Sequence, residues 1–371
     1  MGSWEQLDMK YKLGEIVDVI MGQSPKSEFY NTEGKGYPFL QGNRTFGLKY
    51  PTFDIYTTVL TKLAKAGDII MSVRAPVGDL NITPVDMCLG RGVCSLKMKN
   101  GNQSYLFYMM KYYIPHLLQK ESGTVFGSVS KRDITELEVD IIEDVEKQNK
   151  IARYLEMIDD KIELNNAINN NLAQQAKTIY QAWFEKFILS NGSCPPTWKR
   201  GILADIANIT SGKRPPNKSD KKMKGFEIPL VGATSIVGFT NKANYINKIL
   251  VIGRVGTHGV IQRINSPCWA SDNTLVMTSN LYEYTYQVLQ KIDYRAMNRG
   301  STQPLITQAD MNKVDILIPD NQTLHEFELI VGQLMQMYET NLIENTKLAE
   351  LRDYLLPRLI SGELDISKVN I

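Results

Sequence analysis

Between Val145 and Phe187 the sequence runs for more than forty residues without a proline or a glycine. Apolar or amide side chains recur through it in steps of four and three: Ile151, Leu155, Ile158, Ile162, Asn165, Asn169, Leu172, Ala176, Ile179 and Trp183. That alternation is a heptad seam, the spacing that keeps one helix stripe facing a partner helix, and the helix would be about 60 Å long. Adding 176 to each number gives a second seam: Phe327, Val331, Leu334, Tyr338, Asn341, Asn345, Leu348, Arg352, Leu355 and Leu359. Only Arg352 breaks the apolar pattern, and its long stem can still lie along a helix. Asparagine inside a seam costs stability and fixes register or partner. The pattern therefore predicts that the two helices partner each other, with Asn165, Asn169, Asn341 and Asn345 as helix-pairing residues.

The segments before each helix repeat as well. Leu13-Gly-Glu-Ile16 leading to Gly22-Gln-Ser-Pro25 recurs as Leu203-Ala-Asp-Ile206 leading to Gly212-Lys-Arg-Pro215, with Gly22 and Gly212 expected to serve turn geometry. Short apolar strands follow at Tyr37–Asn43 and Ile228–Thr234, and again at 67–78 and 249–259, each of the latter ending in a turn with one arginine, Arg74 or Arg254. Leu89-Gly-Arg-Gly-Val93 is matched by Ala270-Ser-Asp-Asn-Thr274. Aromatic helices are expected around Tyr105–Leu118 and Tyr282–Ile292, with alternating strands at Leu137, Val139, Ile141 and at Val314, Ile316, Ile318. The order is globular segment, long helix, globular segment, long helix. The loops differ between copies, as expected of one scaffold with two specificities.

Chemistry is constrained mostly by exclusion. There is no phosphate-binding Gly-x-x-x-x-Gly-Lys loop, no amino-methyltransferase Asn/Asp-Pro-Pro-aromatic segment and no nuclease-type carboxylate cluster on a strand. Gly253-x-x-Gly256-x-x-Gly259 lacks the Gly-x-Gly start and following helix of a dinucleotide loop, so it reads as a strand-end turn. Asp159-Asp160 falls outside the seam and reads as a solvated helix face rather than a catalytic pair. Cys88, Cys94, Cys194 and Cys268 form no Cys-x-x-Cys pair, which suggests a reducing cytoplasm and no metal site. No apolar run reaches the length of a membrane span, and the first residues do not read as a signal peptide.

Nucleic-acid binding fits better. Net charge is only +2, yet Lys199, Arg200, Lys213, Arg214, Lys218, Lys221, Lys222 and Lys224 crowd one stretch with only Asp205 and Asp220 against them. Reading bases requires Arg, Lys, Asn, Gln and Ser on loop tips. Candidates in the first half are Gln23, Ser24, Lys26, Asn43, Arg44, Arg74, Arg91, Ser128, Ser130, Lys131 and Arg132. In the second they are Lys213, Arg214, Asn217, Lys218, Thr234, Arg254, His258, Asn273 and Gln303. Tyr56, Tyr105 and Tyr245 are expected in the core. Tyr154, Tyr180, Phe184, Phe187, Leu342, Ile343, Leu351 and Tyr354 lie off the seam, available to globular parts or to other proteins.

From about Lys12 to Ser367 the chain resembles the specificity subunits of type I restriction-modification systems. The resemblance is carried by Leu13–Pro25, by Ser72-Val-Arg-Ala-Pro-Val-Gly78, by Gly90-Arg-Gly92, Gly127-Ser128 and Gln148-x-x-Ile151, and most specifically by the string from Leu351 to Leu364. The tandem domain–helix order carries it further still. It implies an α+β chain: two similar α/β target recognition domains, separated by two long helices packed as an antiparallel coiled coil, with an internal pseudo-two-fold repeat. Residues 1–144 and 198–319 would be the recognition domains, 145–190 the first helix, 191–197 a linker and 320–371 the second helix and tail. The resemblance further implies sequence-specific binding of double-stranded DNA with a bipartite target, the helix length setting the gap between half-sites. It implies docking of two modification (methyltransferase) subunits that carry S-adenosylmethionine, and of restriction (endonuclease/translocase) subunits. The chain itself would be non-catalytic, without a cofactor, and cytoplasmic. The alternatives are a coiled-coil interaction protein without DNA selectivity and the specificity module of a stand-alone DNA methyltransferase.

Overall fold

The computed structural model describes residues 10–119, 127–255, 259–297 and 305–366. They pack as two compact units. One takes the described residues up to Asn166 together with those from Leu342 onward; the other runs from Ala167 to Asn341.

In the first unit the order is β1 (Lys10–Lys12), α1 (Leu13–Ile16), β2 (Val17–Met21), β3 (Tyr30–Asn31), β4 (Tyr37–Leu40), β5 (Tyr56–Thr57), β6 (Leu63–Ala64), β7 (Ile69–Ser72), β8 (Leu80–Ile82), β9 (Met87–Leu89), β10 (Val93–Met98), α2 (Gln103–Gln119), α3 (Lys131–Thr135), β11 (Glu138–Asp140) and the first part of α4 (Val145–Tyr180). An antiparallel sheet β2-β10-β7-β8 lies at its centre, beside a second sheet β3-β5-β4-β9-β6 and the pair β1-β11. Strands β7 and β10 are apolar almost throughout because both faces are covered. Ile69, Met71, Cys94, Leu96 and Met98 join the α2 aromatics in the main core, while Ile70 and Val93 join Leu40, Met87 and Leu89 of the second sheet. Successive strand residues point to opposite faces, so one strand serves both cores.

The second unit repeats this plan with β12 (Lys199–Ile202), β13 (Asn208–Ser211), β14 (Ile228–Val231), β15 (Ile236–Thr240), β16 (Ile249–Gly253), β17 (Ile261–Ile264), β18 (Trp269–Ala270), β19 (Thr274–Thr278), α5 (Tyr282–Lys291), α6 (Gln308–Asn312), β20 (Asp315–Ile318) and the first part of α7 (Asn321–Ile360). Its sheets are β13-β19-β16-β17, β15-β14-β18 and β12-β20. The parallel pairing of β4 with β9 recurs as β14 with β18, where Leu230 faces Trp269 and Val231 faces Ala270. Leu250, Ile252, Leu275 and Met277 face one core, and Ile249, Val251 and Val276 the other.

Each long helix contributes one segment to each unit. In the first, Ile151, Leu155, Ile158 and Ile162 of α4 share a core with Leu355, Leu359 and Ile360 of α7. In the second, Ala176, Tyr180 and Phe184 share one with Leu324, Phe327, Val331 and Met335. Within both units the two segments run antiparallel, since partners of rising α4 residues fall along α7. The seam residues of α4 from Ile151 to Ala176 are all buried. The four asparagines bond in a crossed pattern. Asn165 Nδ2 donates to Asn345 Oδ1 at 2.9 Å and to Glu344 at 2.7 Å in the first unit. Asn341 Nδ2 donates to Asn169 Oδ1 at 2.9 Å in the second. Repeat-equivalent asparagines thus do not pair with each other: antiparallel packing sets Asn165 opposite Asn345, and the repeat turns that contact into Asn341 opposite Asn169. Beyond Tyr180 the helix widens into a π turn over Gln181–Glu185. There Phe184 packs on Tyr284 and Phe327, with ring centroids 4.9 and 5.0 Å apart.

The expectation of a solvated face at Asp159-Asp160 holds only for Asp160. Asp159 is 2% exposed; it accepts from Arg352 Nη1 at 2.8 Å and from Tyr108 OH at 2.9 Å, with Lys111 Nζ at 3.5 Å. Burial alone would raise its pKa, but Lys111 and Arg352 outweigh that and hold the carboxyl below its usual value. Arg352 breaks the apolar seam in order to meet this carboxylate. At the repeat-equivalent positions of the second unit stand Met335 and Ala176, both buried. There the ionic group lies elsewhere: Arg263 bonds Glu283 at 2.6 Å and Glu339 at 2.9 Å. Nearby, Glu328 accepts the first-turn amides of α5, Glu283 N at 3.1 Å and Tyr284 N at 2.8 Å. Burial nevertheless pushes its carboxyl up to about 7 from an ordinary 4.5.

Two outcomes follow. Arg352→Ala should cost about 3 kcal/mol by removing the closest cation of buried Asp159, whereas Asp159→Met with Arg352→Ala, which installs the second unit's pair, should restore most of that; urea titration measures both. For Glu328 the folded chain holds a proton that the unfolded chain has released between pH 4.5 and about 7. Stability therefore falls as pH rises through that window, and Glu328→Gln should flatten the decline in a pH series of denaturation midpoints.

Candidate nucleic-acid interface

Backbone hydrogen bonds gather the loop tips of the first unit into one rim. Gly22 N donates to Val93 O at 3.0 Å, Gln23 N to Leu89 O at 2.9 Å and Gly90 N to Leu40 O at 2.8 Å. Val73 N donates to Gly92 O and Val129 N to Val73 O, both at 2.9 Å, and Arg74 bridges Ser128. Ser24 Oγ ties the rim further, accepting from Arg91 N at 3.1 Å and Gln41 Nε2 at 3.3 Å. Gln23, Ser24, Arg74, Arg91 and Ser128 thus share one bonded frame. The Arg74 and Arg91 side chains are exposed and form no ion pair among the described residues.

The same five bonds recur in the second unit. Gly212 N donates to Thr274 O, Lys213 N to Ala270 O, Ser271 N to Val231 O, Arg254 N to Asn273 O and Ile306 N to Arg254 O, all at 2.9–3.0 Å. This bonding corrects the expected match of the two arginines. Arg254 takes the place of Val73, one residue earlier than Arg74; it is half-buried, and the bridge of Arg74 to Ser128 becomes Val255 to Leu305. With Asp272 standing where Arg91 stands, the second rim lacks both exposed arginines of the first.

The glycines' role also differs from the turn geometry expected. Neither Gly22 nor Gly212 has a positive φ. Instead, a Cβ on Gly22 would lie 2.0 Å from Gly90 O, and one on Gly212 2.0 Å from Ser271 O. Two backbones approach there too closely for any side chain.

The remaining candidates are placed as follows. Asn43 donates to Asp79, and Arg44 is forked onto Asp54 at 2.6 and 2.8 Å, so both side chains serve local structure. Ser130 caps α3, accepting from Asp133 N, and leaves Lys131 and Arg132 exposed on its first turn. Lys26 pairs loosely with Glu28 at 3.8 Å. Lys213, Arg214 and Asn217 are exposed on the loop between β13 and β14; Lys218 there meets Asp220 at 3.1 Å. Thr234 is exposed on the Gly232–Ser235 turn, and Asn273 on the turn before β19. His258 and Gln303 lie outside the described residues. The basic stretch is two features rather than one, because Lys199 and Arg200 belong to β12, paired to β20 on a separate sheet. Tyr105 is fully buried, whereas Tyr245 is half-buried with its hydroxyl on Thr210 at 2.9 Å. A hairpin at Ser219–Phe226 was not anticipated; its only sequence signal is Lys224-Gly225 between two apolar residues.

A family model described as type I restriction modification DNA specificity domain matches the chain twice, over residues 6–174 and 195–353. The chain is 23% identical to the type I restriction enzyme MjaIX specificity subunit of Methanocaldococcus jannaschii, over 96% of this chain and 94% of that one. It is 24% identical to the HindI specificity subunit of Haemophilus influenzae, over 82% and 88%. A stretch of 178 residues is 36% identical to the MjaX specificity subunit of M. jannaschii, which covers 47% of this chain and only 41% of that protein. The crystal structure of a type I restriction-modification S subunit from M. genitalium has the same fold, with TM-score 0.63, 20% identity and coverage of 95% and 96%.

The rim's dependence on close backbone approach can be measured. Gly22→Ala should destabilise by about 1–3 kcal/mol, while Gly42→Ala, where a Cβ meets nothing within 4 Å, should stay within about 0.5 kcal/mol of wild type in the same urea titration.

Proposed function

This chain belongs to the type I restriction-modification DNA specificity family, and on that premise we propose that it reads a bipartite DNA target, one half with each rim. The observation that carries the reading is the doubled frame: five equivalent backbone bonds in each unit, holding different side chains at equivalent places. In the first unit Gln23, Arg74, Arg91 and Ser128 face base edges, with Lys131 and Arg132 on phosphates. In the second, Lys213, Arg214, Asn217, Lys218, Thr234 and Asn273 take those tasks. Arginine's fork suits guanine O6 and N7, whereas lysines serve the backbone.

In this reading the chain is a recognition subunit without a reaction of its own. Methylation is done by two modification subunits that bring S-adenosylmethionine, and cleavage by restriction subunits, in the cytoplasm. No helix among the described residues is long and apolar enough to cross a membrane. Exposed apolar side chains on the long helices, among them Leu342, Ile343, Leu351 and Tyr354, suit docking of the modification subunits.

The test is selection of a random duplex library by the chain together with its modification partner. A motif of two short blocks separated by an unread gap is expected; enrichment of no motif, or of one uninterrupted block, overturns the reading. Arg74→Ala and Arg91→Ala should relax bases in one block only, each costing about 1–3 kcal/mol at its base. The lone chain incubated with labelled S-adenosylmethionine and target DNA should transfer no methyl group.

A further inference from the structure

The rims differ most in the segment that follows the rim glycine. In the first unit, residues 23–36 carry Lys26 and Lys35, each paired to a neighbouring carboxylate, Glu28 and Glu33, and no exposed large apolar side chain. In the second, residues 213–227 include an ordered hairpin. Ser219 exchanges two backbone bonds with Phe239 of β15, at 2.9 and 2.8 Å. This is possible because Gly238 has no Cβ; one would lie 2.7 Å from Ser219 O. The tip is closed by Phe226 N to Met223 O at 2.8 Å and Met223 N to Phe226 O at 3.3 Å, with Gly225 at φ +84°.

This closed tip presents Met223, 56% exposed, between Lys221, Lys222 and Lys224, all exposed. Ser219 Oγ lies 3.6 Å from its sulfur. A large apolar side chain held in water on a braced turn and flanked by cations has the make-up of a DNA wedge, in which an apolar group enters between base pairs while cations hold the backbone. Bracing matters, since a wedge that must first be ordered loses the free energy it gains from insertion. A thioether also adapts to the irregular gap between unstacked bases. The charge shift between rims agrees: the second unit has Val255 and Asp272 where the first has Arg74 and Arg91, and concentrates its cations on this hairpin instead.

We propose, building on the reading of this chain as a DNA-recognition subunit, that the Ser219–Phe226 hairpin seats its lysines on phosphates and inserts Met223 into a base step of one half-site. That half-site is then selected in part by how easily its step unstacks, while the other is read without deformation.

The test uses the full chain with its modification partner on the selected target, with 2-aminopurine replacing in turn each adenine, on either strand, of both half-sites. A position in one half-site should brighten on binding, fall to the free-duplex level with Met223→Ala, and stay bright with Met223→Leu. An adenine extruded by the modification partner would brighten regardless of residue 223, so the Met223-dependent signal alone is diagnostic. Replacing Lys221, Lys222 and Lys224 by Gln should lower the log–log salt slope of binding by about 0.9 per lysine. If both half-sites are protected in footprinting and no signal depends on Met223, the wedge is wrong and the recognition reading stands. If neither half-site is protected, both fall.

Discussion

An amide buried in a helix seam must find hydrogen-bond partners, and in this chain that requirement constrains how the long helices pair. Asn165 meets Asn345 and Asn169 meets Asn341. A shift by one heptad would set Asn169 against Leu334 or Leu348, Asn341 against Ile162 or Ala176 and Asn345 against Ile158 or Leu172, leaving their hydrogen bonds across the seam unmade, a loss of about 1–3 kcal/mol for each orphaned group. The apolar seam supplies most of the favourable burial but discriminates poorly among registers, because leucine packs acceptably against many neighbours. The asparagines supply the discrimination. Each unit's core includes part of both helices, so register error would misplace apolar residues in both units.

The ionic groups divide similar labour differently in the two copies. Around Asp159, the first unit joins α2, α4 and α7 through Tyr108, Lys111 and Arg352. The second fills the equivalent seam positions with Met335 and Ala176, and joins β17, α5 and α7 through Arg263, Glu283 and Glu339. Repetition has preserved the backbone plan and the seam while the buried charges have been rebuilt. A salt bridge of this kind contributes more to which segments meet than to net stability.

Much of this was legible in the sequence because heptad spacing and strand alternation are local signals. The seam from Ile151 to Ala176 is buried as its spacing predicts, and the two sets of strands match as the short repeats predict. What escaped depends on distant partners. Asp159 looks solvated by its heptad position, and the distant partners Tyr108 and Lys111 on α2 and Arg352 on α7 are what enclose it. Arg254 looks equivalent to Arg74 along the chain; the bond from its amide to Asn273 shows a one-residue offset that no spacing rule reveals. Gly22 reads as a turn glycine next to Pro25, yet its constraint comes from Gly90, far along the chain. The hairpin at Met223 was hidden because lysine-rich stretches between strands usually read as plain solvated loop.

The rim frame is drawn almost wholly from main-chain donors and acceptors: of its five bonds in each unit, none uses a side chain. Any residue compatible with the strand-end geometry can therefore occupy positions such as 23, 74, 91 or 213 without loosening the frame. Under the proposed reading of these positions, stability and specificity are separable under mutation, so a lineage can exchange one recognition code for another in small steps while the folded state persists throughout. The glycines at 22 and 212 are the exceptions, fixed points about which the code can drift.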